Sequence, residues 1–202
     1  MSLKNIYCRY GLYGTFKLMV DIFTSRCFIG NVRIVRKPFS IRGKKNILFG
    51  KNFTAGVGIR LEAFSSKNSK HSLHIGDDVQ VNDYVHIAAC ENVVIGNNVL
   101  IASRVFISDH DHGVYDGDGI HDSPDSCPNN RELSYSSVLI SDNVWIGENV
   151  TILKGVTIGK GAIIGANSVV TKDIGGSSIA VGSPARIIKK YDFSSKRWVK
   201  VN

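Results

Sequence analysis

The segment from Val105 to Gly113 holds the side chains with the clearest capacity for chemistry. It reads Val-Phe-Ile-Ser-Asp-His-Asp-His-Gly, so two histidines stand two positions apart among carboxylates. A histidine titrates near neutral pH and is the usual general base, and a neighbouring carboxylate can fix its tautomer. In an extended segment His110 and His112 point the same way. The residues alone leave three uses open: a catalytic base, metal ligands or solvated loop residues.

A six-residue repeat follows this segment and indicates how it is held. One aliphatic position recurs at Ile140, Ile146, Ile152, Ile158, Ile164 and Val170. A period of six fits neither an amphipathic helix nor an ordinary strand. It is typical of a parallel β-helix with three flat faces, in which each hexapeptide supplies a short strand, a corner and one inward aliphatic side chain. The strands of a β-sandwich would not keep one phase over six repeats.

The same spacing occurs earlier in the chain, with interruptions. The earlier repeated positions are Ile75, Val81 and Ile87, then, two residues out of step, Ile95, Ile101 and Ile107, with a fainter set at Phe49, Ala55 and Leu61. A polar interruption from Ser65 to Ser72 is predicted to be a surface loop. The longest interruption separates Ile107 from Ile140. Loops longer than about 12 to 15 residues in a compact fold are usually functional or disordered, so we expect the chemistry there.

The length of 202 residues fits one continuous solenoid. The predicted organisation is an N-terminal helix and lead-in segment (1–45), a β-helix (46–183) with a long loop (108–139), and a short basic C-terminal tail (184–202). Between residues 10 and 29, apolar side chains recur at helical spacing; they are Leu12, Phe16, Met19 and Phe23. This helix is expected either to cap the open end of the solenoid or to rest on the inner membrane surface.

The composition limits the cellular location and the classes of binding partner that we expect. No run of about 20 apolar residues suggests a membrane span, and the first residues do not resemble a secretory signal. The four cysteines (Cys8, Cys27, Cys90 and Cys127) are scattered, which predicts reduced thiols in the cytoplasm. Peripheral contact with the inner membrane stays open. The net charge of +8 is concentrated near the two ends and favours phosphorylated partners. Nucleic acid is not expected, because no recognised nucleic-acid-binding motif is present.

Taken together, these features resemble a known family. The repeats, the histidine-bearing loop and the ending Gly-Ala-Asn-Ser-Val-Val-Thr-Lys-Asp-Ile…Val-Gly-Ser-Pro-Ala-Arg-Ile-Ile are similar to those of the hexapeptide-repeat acyltransferases. Within that family the chain resembles the galactoside and maltose acetyltransferase branch, and most of all the O-acetyltransferases of bacterial O-antigen and other surface polysaccharides. The resemblance implies an all-β, left-handed parallel β-helix. It also implies acetyl-CoA as co-substrate, no required metal, and a homotrimer with active sites between subunits.

The resemblance also implies roles for individual residues. In the family a loop histidine takes the proton from an acceptor hydroxyl, which attacks the thioester of acetyl-CoA, and direct transfer needs no covalent acyl-enzyme. Counted from Ile107, the base falls on His112. His110 is the alternative base, or it orients its neighbour or touches the acceptor. Asp109 and Asp111 either polarise the base or are solvated loop acids.

Further positions are implied for the acceptor and for the cofactor. The acceptor-binding candidates are Asn82, Tyr84, His86, Asp109 and Trp145; the cofactor-binding candidates are Trp145, Ala166, Thr171, Lys172, Arg186 and Lys189. Because Asn82, Tyr84 and His86 alternate, we expect them to share one outward face. By analogy with the branch, Tyr84 and His86 lie where acceptor contacts are found, but their residue types differ, which suggests an altered acceptor. Trp145 is expected to point outward, either covering the sheet or lining the channel for acceptor and pantetheine.

The predicted function is acetyl-CoA-dependent O-acetylation of a sugar hydroxyl in a bacterial surface polysaccharide (O-antigen or capsule) or its precursor. The alternatives are an O-acetyltransferase of antibiotics, other xenobiotics or small saccharides, a zinc-dependent carbonic-anhydrase-like enzyme, and a non-catalytic solenoid. The carbonic-anhydrase alternative needs three histidines around a metal, and the loop spacing does not suit it. His112, Trp145 and the Thr171-Lys172 pair argue against a non-catalytic solenoid.

Overall fold

A computed structural model describes residues 3–65, 70–115, 119 and 121–201 of the chain. The predicted loops at 65–72 and 108–139 therefore lie partly outside the described residues. The described elements are α1 (Leu3–Phe28), β1 (Ile34–Val35), β2 (Ser40–Arg42), a 3-10 turn (Lys44–Asn46), β3 (Ile47–Phe49), β4 (Thr54–Ala55), β5 (Arg60–Ala63), β6 (Leu73–Ile75), β7 (Gln80–Val81), β8 (His86–Ala89), β9 (Val93–Ile95), β10 (Leu100–Ile101), β11 (Phe106–Ser108), β12 (His110–His112), a second 3-10 turn (Pro128–Asn130), β13 (Leu133–Tyr135), β14 (Val138–Ile140), β15 (Trp145–Ile146), β16 (Thr151–Ile152), β17 (Thr157–Ile158), β18 (Ile163–Ile164), β19 (Val169–Val170), β20 (Ser178–Val181), β21 (Arg186–Asp192) and β22 (Arg197–Lys200).

Parallel strands form the three faces of a prism, and the chain visits these faces in turn. The first face has the order β1-β4-β7-β10-β15-β18-β20, the second β2-β5-β8-β11-β16-β19, and the third β3-β6-β9-β14-β17. Adjacent strands of a sheet are about 4.8 Å apart, so each coil adds that height. The six-residue period thus becomes the parallel β-helix that the sequence predicts.

The repeated aliphatic residues form the core of the prism. From Ile140 to Val170 every repeated position is fully buried. On the second face Ile87, Ile107 and Ile152 stack in one register. The two extra residues before Ile95 are accommodated at the corner between β8 and β9, so Ile95 still stacks on Ile75. Each layer of aliphatic side chains therefore buries the next one.

Tight corners join the faces and require unusual backbone angles. Positive φ angles occur there at Asn52, Asp78, Asn98, Asn143, Asn149 and Asn167, among others. Asn and Asp adopt this left-handed conformation more readily than other residues with a side chain. At Gly58 (φ +72°), an added Cβ would lie 2.4 Å from the ring of Tyr84. This corner therefore needs glycine both for its backbone angle and for space.

The helix α1 covers the N-terminal end of the prism, but not with the predicted apolar stripe. Its inward face holds Asp21 and Ser25, both buried, and the Ser25 hydroxyl accepts a 2.7 Å hydrogen bond from the backbone N–H of Val35. The apolar stripe faces outward: the exposed fractions are 78% at Leu12, 66% at Phe16, 60% at Met19 and 69% at Phe23. The expected cap is present, and its outer surface is left apolar. In the described part of the chain, no helix has the length and apolarity to cross a membrane.

The limits of the prism differ from the predicted boundaries. Strands β1 and β2 already pair in parallel with β4 and β5, so the winding begins before residue 46. At the other end β21 pairs antiparallel with β20, and β22 with β21. This hairpin covers a sheet edge that would otherwise expose unpaired backbone groups. The segment predicted as a tail is therefore part of the folded structure.

Candidate active site

Two corners of the prism carry most of the predicted site residues. The loop corner, between the second and third faces, comprises the described residues in the ranges 90–92, 109–115, 121–137, 153–156 and 171–173. The first corner, between the first and second faces, comprises residues 82–85, 147–150, 165–168 and 182–185. The long loop leaves and returns at the loop corner, because β12 and β13 pair antiparallel at its base. Its two histidines are therefore held at the edge of the solenoid.

Asp109 anchors this edge. Its side chain is fully buried, and its carboxylate accepts hydrogen bonds of 2.8 to 3.1 Å from the backbone N–H groups of Cys90, Glu91 and Asn92 on the preceding coil. Burial pushes the pKa of Asp109 upward, but hydrogen bonds from His110 and from these three backbone groups outweigh it, so that the pKa lies below its usual value. The structure thus contradicts both a solvated acid and direct contact with an acceptor at Asp109. The carboxylate is a fixed, buried negative charge.

His110 is oriented by that charge. Its Nδ1 lies 3.0 Å from Asp109 Oδ1 and 3.2 Å from the hydroxyl of Ser108. The hydrogen bond to Asp109, and then the nearby Cys90 thiol, raise the pKa of His110 to about 9 against the opposing effect of burial. With Nδ1 directed at the carboxylate, Nε2 faces the other way. A base oriented by a third group in this manner is the arrangement that general-base catalysis requires.

His112 has a different environment. It lies on the same strand β12 but is exposed, with its ring centroid 6.5 Å from that of His110. The backbone carbonyl of His112 accepts a 2.6 Å hydrogen bond from the Tyr115 hydroxyl, and Asp111 forms a 3.1 Å ion pair with Lys154 on the next coil. These contacts fix the hairpin in place. They hold the backbone of His112 but give its ring no carboxylate comparable to Asp109.

Cys90 was not among the residues predicted for the site. Its thiol, the Asp109 carboxylate and a His110 ring nitrogen lie within 4.8 Å of one another, a grouping that could in principle ligate a metal ion. The Asp109 oxygens, however, already accept the hydrogen bonds described above, so the cluster is better described as a hydrogen-bonded network. The sequence feature that could have pointed to Cys90 is the 20-residue interval between Ile87 and Ile107, which stack on each other. It places the start of the loop directly above Cys90.

The predicted acceptor set does not share one face. A corner lies between β7 and β8, and Tyr84 sits in it with φ +57°. The alternation of side chains is lost there, so the expectation for Asn82, Tyr84 and His86 is wrong. His86 instead lies on the second face, where its Nε2 is 3.0 Å from the buried Glu62 carboxylate. Its ring packs on Phe106 with 5.2 Å between the centroids.

The predicted cofactor residues divide between two sides of the prism. Thr171 and Lys172 are exposed on the loop corner, about two coils or roughly 10 Å from the level of the loop. Ala166 lies on the first corner, and Arg186 is exposed beside it. Two further candidates, Trp145 and Lys189, lie on the sheet of the first face; Trp145 is 50% exposed, pointing outward as expected. At about 3.3 Å per residue a face is roughly 15 Å wide, so within one protomer the two groups lie at opposite edges of the second face or beyond it.

The fold and the loop histidines define a transferase built on hexapeptide repeats. The profile of the family described as "Bacterial transferase hexapeptide (six repeats)" matches residues 137–172. A relative from Escherichia coli (strain K12), named "Putative lipopolysaccharide biosynthesis O-acetyl transferase WbbJ", is 48% identical over 192 residues, covering 95% of this chain and 96% of the relative. The chain belongs to the bacterial hexapeptide-repeat transferases.

Solved structures agree with this membership. A maltose O-acetyltransferase from Clostridium difficile 630 is 35% identical, with a TM-score of 0.58 and coverage of 72% of this chain and 71% of that one. A galactoside acetyltransferase in complex with coenzyme A is 33% identical, with a TM-score of 0.54 and coverage of 74% and 73%. The expected left-handed parallel β-helix and the resemblance to the galactoside and maltose branch are both confirmed.

Proposed function

We propose that this protein transfers the acetyl group of acetyl-CoA to a sugar hydroxyl of a bacterial surface polysaccharide or its precursor. The observation that carries the proposal is the His110 imidazole, held by a buried carboxylate at the solenoid edge. Nε2 of the imidazole takes the proton of the acceptor hydroxyl, whose oxygen attacks the thioester carbonyl. The carbon–sulfur bond then breaks, and the CoA thiolate receives the proton. The products are the O-acetyl sugar and CoA.

Geometry favours His110 over His112 as the base. The Asp109 carboxylate fixes the His110 ring and stabilises the imidazolium that forms when the proton moves. His112 remains the alternative base. Its exposed position on β12 also suits contact with the acceptor or with the leaving CoA.

Thr171 and Lys172 are proposed to contact the CoA from the same corner as His110. Ala166, Trp145, Arg186 and Lys189 lie on the first corner and the first face, and in the proposed assembly a neighbouring subunit presents its own copies of them to the same CoA. This division supports a homotrimer with active sites between subunits. With a chain mass of 22.1 kDa, sedimentation should give a particle of about 66 kDa; a monomer at micromolar concentration would contradict this assembly.

The outward stripe of α1 supports peripheral contact with the cytoplasmic surface of the inner membrane. Aromatic and aliphatic side chains are exposed there, and Asp21, the one acid in the sequence of the first 60 residues, is buried against the prism. Basic and aromatic helices of this kind bind anionic bilayers. Co-sedimentation with vesicles of anionic lipid and with vesicles of neutral lipid tests the contact. If the protein sediments with neither kind of vesicle, the contact is contradicted.

Paired variants test the proposed chemistry. His110→Ala should lower kcat by about two to four orders of magnitude, the usual contribution of a general base, while CoA binding stays near that of the wild type. His112→Ala is the matched control on the same strand and should retain much more activity. If His112→Ala loses more activity than His110→Ala, His112 is the base. Mass spectrometry of the cell's polysaccharide with and without the gene tests the function itself, through loss of an acetyl increment.

A further inference from the structure

A cluster of charged side chains on the second face is not used by the chemistry above. The carboxylate of Glu62 forms ion pairs with Arg42 Nη1 at 3.1 Å and with Arg60 Nη2 at 2.8 Å, and it lies 3.0 Å from His86 Nε2. The Glu62 side chain is only 7% exposed, whereas those of Arg42 and Arg60 are 68% and 49% exposed. The acid therefore lies beneath, and the two guanidinium groups form the surface.

The acid holds the arginines in place without neutralising both of them. Burial pushes the pKa of Glu62 upward, but hydrogen bonds from Arg60 and His86 and the charges of these groups outweigh it, so that the pKa lies below its usual value. Two guanidinium groups against one carboxylate leave a net charge of +1. Each guanidinium has five N–H donors, and only part of each set is directed at Glu62. Exposed arginines fixed side by side are suited to bidentate binding of phosphate oxygens.

The part of the chain that contributes Arg42 and Arg60 is strongly basic. The first 60 residues contain twelve lysines and arginines and a single acid, Asp21, which is buried. Strand β2, which carries Arg42, belongs to this segment, and so does Arg60 at the start of β5. A positive field of this kind concentrates phosphorylated ligands near the arginine pair.

The cluster lies at a defined distance from the proposed base. In the register of the second face, Arg42, Glu62, Ala88 and Ser108 occupy one row across β2, β5, β8 and β11. Three strand spacings separate Arg42 from Ser108, about 14 Å. The Ser108 hydroxyl is hydrogen-bonded to His110. One sugar ring and the phosphates attached to it span a distance of this order.

We propose that Arg42 and Arg60 bind the diphosphate that links the acceptor sugar to its carrier, while the sugar itself lies beside His110. The position of the sugar rests on the proposed function; the binding of a diphosphate does not. Two carriers share this chemistry, a nucleotide and a membrane lipid. The lipid is consistent with α1, whose apolar surface lies at the same end of the prism as β2.

Titration calorimetry with inorganic pyrophosphate tests the site on the full chain. The titration is made with saturating CoA, so that any site for the diphosphate of CoA itself is already filled. Arg42→Gln and Arg60→Gln should each weaken pyrophosphate binding tenfold to a hundredfold, the range expected for a lost charge-assisted hydrogen bond. The matched control is Arg104→Gln, which removes an exposed arginine paired with Glu148 at 2.9 Å and should leave binding unchanged.

These titrations distinguish a nucleotide carrier from a lipid carrier, and they test the diphosphate site independently of acetyl transfer. UDP binding tenfold tighter than pyrophosphate would indicate a nucleotide carrier, and tighter binding of farnesyl diphosphate a lipid carrier; in both cases the affinity must depend on Arg42 and Arg60. The site is refuted if pyrophosphate does not bind, if both variants bind it like the wild type, or if Arg104→Gln loses as much affinity. Absence of acetyl transfer by the wild type would instead refute the proposed function, and the titration would stay interpretable.

Discussion

Replacing Asp109 by asparagine tests the central pair of the proposed site. The substitution keeps the size of the side chain and one carbonyl oxygen, but it removes the charge that faces His110. The pKa of His110 is raised from 6.5 to about 9, chiefly by this carboxylate. At about 1.36 kcal/mol per pKa unit, the difference corresponds to about 3.4 kcal/mol. Cys90 also raises this pKa and burial lowers it, so about 3.4 kcal/mol is the net effect of the surroundings and not the share of Asp109 alone.

Two consequences can be measured separately. A base must be unprotonated to act, so kcat/KM of the wild type should rise with pH until about pH 9. In Asp109→Asn this limit should move down by on the order of 2.5 pH units, because the largest effect that raises the pKa of His110 is removed. The plateau rate should fall by roughly two to four orders of magnitude, because the ring is no longer oriented and the imidazolium is no longer stabilised.

The assay follows CoA release chromatographically from pH 6 to pH 10, with a protein-free control for thioester hydrolysis. NMR titration of the His110 imidazole in the absence of substrate measures the same pKa directly, and it also reports whether the variant is folded. Suppose that kcat/KM stops rising at the same pH in the wild type and in Asp109→Asn, while the pKa of His110 measured by NMR differs between them. His110 is then not the base. If the NMR pKa stays the same as well, the coupling to Asp109 is wrong. Should Asp109→Asn not fold, His110→Gln against the wild type gives the test of the base.

The stacked core, the charge on His110 and the absence of a required metal each have a measurable consequence. Ile152→Ala should lower the free energy of unfolding by about 2 to 5 kcal/mol, because a fully buried side chain of the core leaves a cavity; denaturant unfolding measures it, and a loss below about 1 kcal/mol would contradict the stacked core. Because the folded-state pKa of His110 is raised to about 9, its contribution to stability is full below pH 6.5 and is lost as the pH rises to about 9. The wild type should therefore lose stability over this window relative to His110→Gln, and parallel curves would count against the Asp109 interaction. Dialysis against EDTA should leave acetyl transfer intact; loss of activity restored by Zn²⁺ would favour a metal at Cys90, Asp109 and His110.

The winding of the chain was readable from the sequence because it depends on a local pattern. Each hexapeptide places its aliphatic residue inward regardless of what lies far away in the chain, and asparagine or glycine marks many corners. The same regularity marked the interruption after Ile107 as a loop, and the two histidines beside it as candidates. Family membership followed from these features together with the motif near the C-terminal end.

The surroundings of the site residues could be seen only in the tertiary structure. The sequence left open whether Asp109 polarises the base or is a solvated loop acid. In the structure, backbone N–H groups 17 to 19 residues earlier in the chain donate hydrogen bonds to its buried carboxylate. That contact depends on how one coil stacks on the previous one, and it distinguishes His110 from His112. The prediction that Tyr84 shares one outward face with Asn82 and His86 was wrong for the same kind of reason. A corner interrupts the strand at Tyr84, so side chains no longer alternate there.

The architecture can therefore be predicted from the order of residues, since burial of one aliphatic side chain every six residues leads to stacked coils with three faces. The contacts of the site became visible only in the folded chain: which imidazole meets a buried charge, which face of α1 touches the prism, and where Arg42 and Arg60 meet Glu62. Hydrophobic burial follows a short period along the chain. Hydrogen bonds and ion pairs depend instead on the distances between coils, which the order of residues does not display.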